Sequence, residues 1–210
     1  MPHPVGLRER KKRQTRDAII EAALHLFDEQ GFEATTIAQI AQAVDIAPRT
    51  FFGYFKSKEQ VVFYDSDAMR ESFARRLAAR ASGETTMAAL RAWIVGRADL
   101  MERPNEEAVL RERVLQASPT LLAHQNEVLA RFEELLAQGI AQDLDDVPDG
   151  LRPRLVSAAA VAALRSMKRD QTDGTMDPDE NVAILDEAIA FLDGGLRALQ
   201  RAGATGGSPG

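Results

Sequence analysis

Arg49 sits between Pro48 and Thr50, and proline is favoured in the first turn of a helix. That placement puts a guanidinium at the amino end of a short helical segment. A planar fork presented there can donate two hydrogen bonds to guanine O6 and N7 in the DNA major groove, worth about 1–3 kcal/mol of discrimination. The same group can also serve as a sequence-blind phosphate contact. The hydroxyls of Thr36, Thr50 and Tyr54 and the ammonium of Lys58 suit phosphate oxygens, contacts that fix register without reading bases. Lys58 also falls in the first turn of the next expected helix, where free N–H groups and a positive dipole end attract anions. Gln39 can reach a base edge or a phosphate. Phe51 and Phe55, four residues apart, share one helical face and read as core.

Such groups act only if short elements hold them in place. Apolar spacing reads as helix almost throughout, with no sustained period-two alternation, so the expected fold is all-α with about nine helices. Ile19, Ala23, Leu26 and Phe27 recur at i, i+4, i+7 and i+8 in a first helix of about 13–30, closed by Gly31. Thr36 and Gln39 form a capping box for a second helix ending near Val44. The third runs from Pro48 to about Phe55. Asp45, Ile46 and Ala47 alone separate the two, which is helix-turn-helix spacing, and pieces this short need bracing by the first helix. An ordinary αα-hairpin has the same spacing. Ser57 and Gln60 open a fourth helix, about 57–80. The rest follow at about 86–103, 105–117, 118–142, 151–168 and 177–202, punctuated by Gly83, Pro104, Ser118-Pro119, an acidic turn at 145–150 and Asp177-Pro178. A polar loop is expected at 170–176, and the final residues, 203–210, are expected to be disordered.

Composition removes many alternatives. The chain has 210 residues, 45% of them hydrophobic and 28% charged, as in ordinary soluble globular proteins. With no cysteine and three histidines, thiolate metal sites, iron–sulfur clusters, cysteine nucleophiles and disulfides are excluded. Glu-x-x-His pairs, a P-loop, a dinucleotide glycine fingerprint and a Gly-x-Ser-x-Gly elbow are all missing, so no enzyme, cofactor or metal site is expected. The longest apolar run, Ala158 to Leu164, has seven residues, far short of the ~20 that cross a bilayer. No secretory signal pattern is present, and a cytoplasmic protein is expected. The net charge of −6 conceals an asymmetry, because residues 1–16 sum to +5 and residues 61–210 to −7. A basic flexible arm, residues 1–12, thus precedes the helix pair and turns its reading from hairpin toward nucleic acid.

Residues 11–62, KKRQTRDAIIEAALHLFDEQGFEATTIAQIAQAVDIAPRTFFGYFKSKEQVV, resemble the DNA-binding domain of TetR-family transcriptional regulators. GFEATT, Ile40-Ala41, Thr50, the aromatic cluster and SKE carry the match. The resemblance implies a helix-turn-helix domain at 13–60 and a ligand-binding and dimerisation domain at 61–202. It further implies a homodimer whose two heads occupy successive major grooves of a palindromic operator. Where the family has Gly-Val-Ser in its turn, this chain has Asp45-Ile46-Ala47, which removes a serine N-cap worth about 1 kcal/mol. Phe52 replaces a common tyrosine, and Gly53 a larger side chain.

The eighth and ninth expected helices are the candidate dimer surface, through Leu155, Ala158, Ala159, Ala162 and Ala163 on one and Ile184, Leu185, Ala188, Phe191, Leu192 and Leu196 on the other. In the family the middle helices enclose an inducer pocket. Trp93, Arg97, Met101, Phe132 and Met167 are its candidate lining here, an apolar set with one cation. Residues 110–136 also resemble regulators associated with fatty acyl-coenzyme A. The expected function is a repressor released when a small, largely apolar molecule favours a conformer that no longer fits DNA. The alternative is a sequence-indifferent architectural DNA binder, which uses the basic arm and ignores base edges.

Overall fold

The computed structural model describes the backbone of residues 6–97, 105–172 and 178–205, and the side chains of these except 168–172, 178–181, 200 and 202–205. Among the described residues there are ten helices and no strand: α1 Leu7–Gln30, α2 Ile37–Ala43, α3 Pro48–Phe51, α4 Glu59–Val62, α5 Ser66–Ala78, α6 Thr86–Val95, α7 Glu106–Ala117, α8 Pro119–Leu144, α9 Leu151–Thr172 and α10 Pro178–Thr205. The chain forms two compact units, the first from residues 1–65 and 105–125, the second from 66–104 and 126–210. A division of the sequence near residue 60 therefore leaves out part of the first unit.

In the first unit one face of α1, through Ile19, Ile20, Ala23, Leu24 and Phe27, joins a single buried cluster with Ile40, Phe51, Phe55, Leu110 and Val114. This cluster is what stabilises α2 and α3, which have seven and four residues and cannot persist alone. Polar ties reinforce it: Arg113 grips Asp28 in a bidentate pair at 2.6 and 2.7 Å, and the Ser118 hydroxyl donates to Glu33 at 2.7 Å. That last bond, with a local backbone bond, holds the Glu33 carboxyl below the usual glutamate range.

Several boundaries differ from the sequence expectation. α3 ends at Phe51 rather than near Phe55, and α6 ends at Val95 rather than near residue 103. α1 begins at Leu7, so residues 7–12 of the segment expected to be a flexible arm, which carry Arg8, Arg10, Lys11 and Lys12, are helical. The expected helix at 57–80 divides into α4 and α5. Its break has a tertiary cause: the Tyr64 carbonyl, which a continuous helix would use four residues on, accepts from Arg16 at 3.0 Å. The Tyr64 ring lies between the Arg16 and Arg111 guanidinium groups, each 4.8 Å from its centroid. α9 continues to Thr172, into the segment expected to be a loop. α10 reaches Thr205, past the expected start of the tail. Asp177 and residues 206–210 lie outside the described residues.

The second unit has its own core, in which Phe73, Trp93 and Phe132 stack against one another and Leu136, Ile140, Leu185 and Leu196 are buried. α8 and α6 approach closely at Gly139, where a Cβ would stand 2.7 Å from the Thr86 hydroxyl. Arg80 pairs with Asp143 at 2.9 Å, and Asp143 also accepts from the Thr86 amide at 2.7 Å.

Candidate nucleic-acid interface

Thr36 caps α2 as expected. Its hydroxyl accepts from the Gln39 amide at 3.2 Å, and the Gln39 side-chain oxygen accepts from the Thr36 amide at 2.8 Å. A third bond, from the Thr36 hydroxyl to the same oxygen at 2.8 Å, leaves Gln39 engaged as a capping group. Its exposed amide nitrogen points to Gln30 at 3.5 Å.

The turn after α2 is a Schellman motif. Ile46 donates to the Ala41 carbonyl at 2.9 Å and Asp45 to Gln42 at 3.2 Å. Asp45 takes the left-handed position, with φ of 53°, where glycine is usual. Ile46 packs into the cluster near Ile40, and this apolar contact fixes the exit direction of the chain. α3 then starts at Pro48 with Ala47 as its N-cap, which provides no side-chain bond. Phe51 is fully buried, and Pro48, Arg49 and Thr50 are exposed on the outward side. The guanidinium and its neighbours are thus displayed on a helical turn whose opposite side is anchored.

An open groove joins this turn to the start of α1, lined by Leu7, Arg8, Lys11, Lys12, Thr15, Thr50, Gly53 and Tyr54. Arg8, Lys11, Lys12 and Thr15 are spaced i, i+3, i+4 and i+7, one stripe of a helix. These contributors are missing from the sequence-derived site. Their signal was present, but it becomes a stripe only when helix extends upstream of residue 13. Three cations beside the Thr50 and Tyr54 side chains make a surface suited to a polyanion.

Lys58 behaves differently from the expectation. Its ammonium donates to the carbonyls of Phe32 at 2.6 Å, Thr35 at 3.0 Å and Glu33 at 3.3 Å, and stands 4.3 Å from the Phe32 ring centroid. All three ammonium hydrogens have protein acceptors, so a phosphate contact would have to displace one. Lys58 closes the connection between α1 and α2.

In the second unit, Trp93, Phe132 and Met167 belong to one core cluster. The Trp93 indole donates to Ser72 at 3.1 Å, and the Arg97 guanidinium lies 5.6 Å from the indole centroid. Met101 lies outside the described residues. A separate groove of about 500 Å³ is lined mainly by polar groups, among them Arg80, Glu84, Thr85 and Asp143, and includes none of the expected ligand residues.

The expected dimer stripe separates into two sides. Leu185, Leu192 and Leu196 are buried inside the unit, whereas Leu155, Ala158, Ala159, Ala162 and Phe191 are exposed. Ile184, Ala188 and Ala163 are partly covered. The outward surface of α9 and α10 is therefore narrower than the sequence stripe. Gly194 and Gly195, where an added Cβ meets nothing within 4 Å, extend it past Phe191. Among the described residues no helix is long and apolar enough to cross a membrane.

Comparison with known proteins bears on both units. Residues 19–64 match the family described as bacterial regulatory proteins, tetR family, and residues 84–197 match the MftR C-terminal domain. The chain is 40% identical over 180 residues to the HTH-type transcriptional regulator TcmR of Streptomyces glaucescens, covering 80% of this chain and 78% of that protein. Its fold is similar to NalD, the secondary repressor of the MexAB-OprM multidrug efflux pump in Pseudomonas aeruginosa, with TM-score 0.60, 23% identity and coverage of 84% and 96%. It is also similar to FadR of Bacillus subtilis in complex with stearoyl-CoA, with TM-score 0.56, 19% identity and the same coverage.

Proposed function

The chain belongs to the tetR family of bacterial regulatory proteins and is a DNA-binding regulator of transcription; we propose that it is a repressor whose first unit reads a palindromic operator through α3. Arg49 donates to a guanine edge. Pro48 and Thr50 lie against the groove wall, and Thr36 and Tyr54 meet phosphates. The observation carrying this assignment is the groove shared by α1 and α3, which sets Arg8, Lys11 and Lys12 beside Thr50 and Tyr54. We assign those three cations to the phosphates flanking the bases read by α3, with Gln39 retained as the α2 cap. The sequence-indifferent alternative is not favoured, because it gives the anchored, outward-facing Arg49 no task. A footprint on the promoter adjoining the protein's own coding region tests the reading. A protected two-fold symmetric site is expected, and uniform protection along the fragment would refute it.

The family works as dimers, and here we assign the partner contact to the outward sides of α9 and α10. Phe191 is a large apolar side chain 82% exposed on α10. Gly194 and Gly195 follow it at i+3 and i+4 on the same face. A two-fold interface is self-complementary, so a protruding ring and a side-chain-free hollow on one helix can serve each other across the axis.

For the effector we propose an apolar molecule with an anionic group, accommodated where Phe73, Trp93 and Phe132 stack and with Arg97 at the rim. Fatty acyl-coenzyme A fits that description. Such a ligand releases DNA only if it binds the off-DNA conformer more tightly. Trp93 is the sole tryptophan, so its emission reports directly on this cluster. Titration with a long-chain acyl-coenzyme A is expected to shift the emission and, at the same concentrations, release the operator. Release with unchanged emission would place the ligand elsewhere.

A further inference from the structure

Burial in the first unit accounts for Phe27, Phe32, Phe51 and Phe55, none more than 3% exposed, but Phe52 is 55% exposed. It ends the α3 turn three residues after Arg49, so both side chains project from the same side of the helix. One edge of the ring is fixed by Phe51, at 5.7 Å between centroids and 87° between planes. Gly53, next in sequence, adds no side chain beside it. The remaining ring surface faces outward from the element that enters the groove.

A phosphate gives such a ring no favourable contact, and the tyrosine hydroxyl common at this position in the family is missing. The major-groove edge of the bases presents one strongly apolar group, the thymine C5-methyl. We propose that Phe52 packs on the C5-methyl of a thymine next to the base contacted by Arg49, so that α3 reads a guanine and a thymine together. The assignment rests on the DNA-reading function above and names one of the bases that function requires.

The test uses the full-length protein to enrich duplexes from a randomised library. Each thymine of the enriched site is then replaced singly by uracil, which removes only the methyl group. One thymine per half-site is expected at which uracil weakens binding about fourfold, the equivalent of one buried methyl, and roughly fifteenfold when both half-sites are changed. Phe52→Ala is expected to lower the melting temperature by only a few degrees, through loss of the Phe51 contact, and to bind the thymine and uracil duplexes equally. Wild-type indifference to uracil at every thymine would overturn the assignment, as would full thymine preference in Phe52→Ala. The wild-type uracil series decides the matter even if the variant folds poorly. Enrichment of a defined site together with uracil indifference refutes only the role of Phe52. Failure to enrich any site refutes base reading as a whole.

Discussion

Replacing Lys58 by alanine separates two jobs that a lysine near DNA can do. As a phosphate ligand it would contribute about 0.9 to the slope of log affinity against log salt. As a brace it would leave that slope unchanged and its loss would lower stability. The structure supplies three carbonyl acceptors, those of Phe32 and Thr35 partly buried and that of Glu33 exposed. Hydrogen bonds to a charged group contribute roughly 1.5–3 kcal/mol each when well shielded. Here water rehydrates the carbonyls after truncation, so the net loss comes to about 2 kcal/mol for the set, with the Phe32 ring contact adding about 0.5 kcal/mol. For a chain of this size the sum corresponds to roughly 5–10 °C in melting temperature. Thermal unfolding by circular dichroism and operator titration at several salt concentrations measure both quantities on one preparation. Lys11→Ala is the control, expected to lower the salt slope by about one with the melting temperature unchanged. A Lys58→Ala variant of wild-type stability with a shallower slope would refute the bracing role.

Ala47→Ser restores a hydroxyl able to cap α3 and is expected to raise stability by about 1 kcal/mol in urea unfolding, with unchanged sequence preference. Phe191→Asp buries a charge in the proposed partner contact and should shift the protein to monomer in analytical ultracentrifugation while its helical circular dichroism persists. The carboxyls of Glu33, Glu84 and Asp186 are all held below their ordinary range, chiefly by bonds from Ser118, Arg76 and Arg91 respectively. Lowered folded-state values contribute stability that is complete above the unfolded carboxylate range, near pH ~4, and is lost as pH falls through the folded values. The urea midpoint should therefore be flat from neutrality to mild acid and then drop, and Glu33→Gln should reduce that drop.

Local signals were legible wherever the chemistry is local. The Thr36–Gln39 capping box, Pro48 in the first turn of α3, and the Ser118 cap of α8 each need only neighbours within four residues, and each is present in the structure. Features governed by distant partners were not legible. Nothing near Tyr64 announces that Arg16 takes its carbonyl and interrupts the helix. The partners of Lys58 lie 23 to 26 residues upstream, and the packing of α7 on α1 depends on pairs such as Arg113 with Asp28. The apolar stripe of α10 is wide enough to cover both the inner core and an outer face, so periodicity could not assign Leu192 inward and Phe191 outward. The basic segment reads as a solvated arm because it is a run of like charges, although its arginines and lysines are good helix formers and are helical from Leu7 onward.

The most direct measurement is an equilibrium titration of the full-length protein against its enriched palindromic duplex and a scrambled duplex of equal length, at one salt concentration near physiological. The account predicts that the enriched duplex binds at least about a thousandfold more tightly, and that Arg49→Ala removes most of that ratio while leaving scrambled-duplex affinity within a few fold. Equal affinities for the two duplexes, or an unchanged ratio in Arg49→Ala, would contradict it.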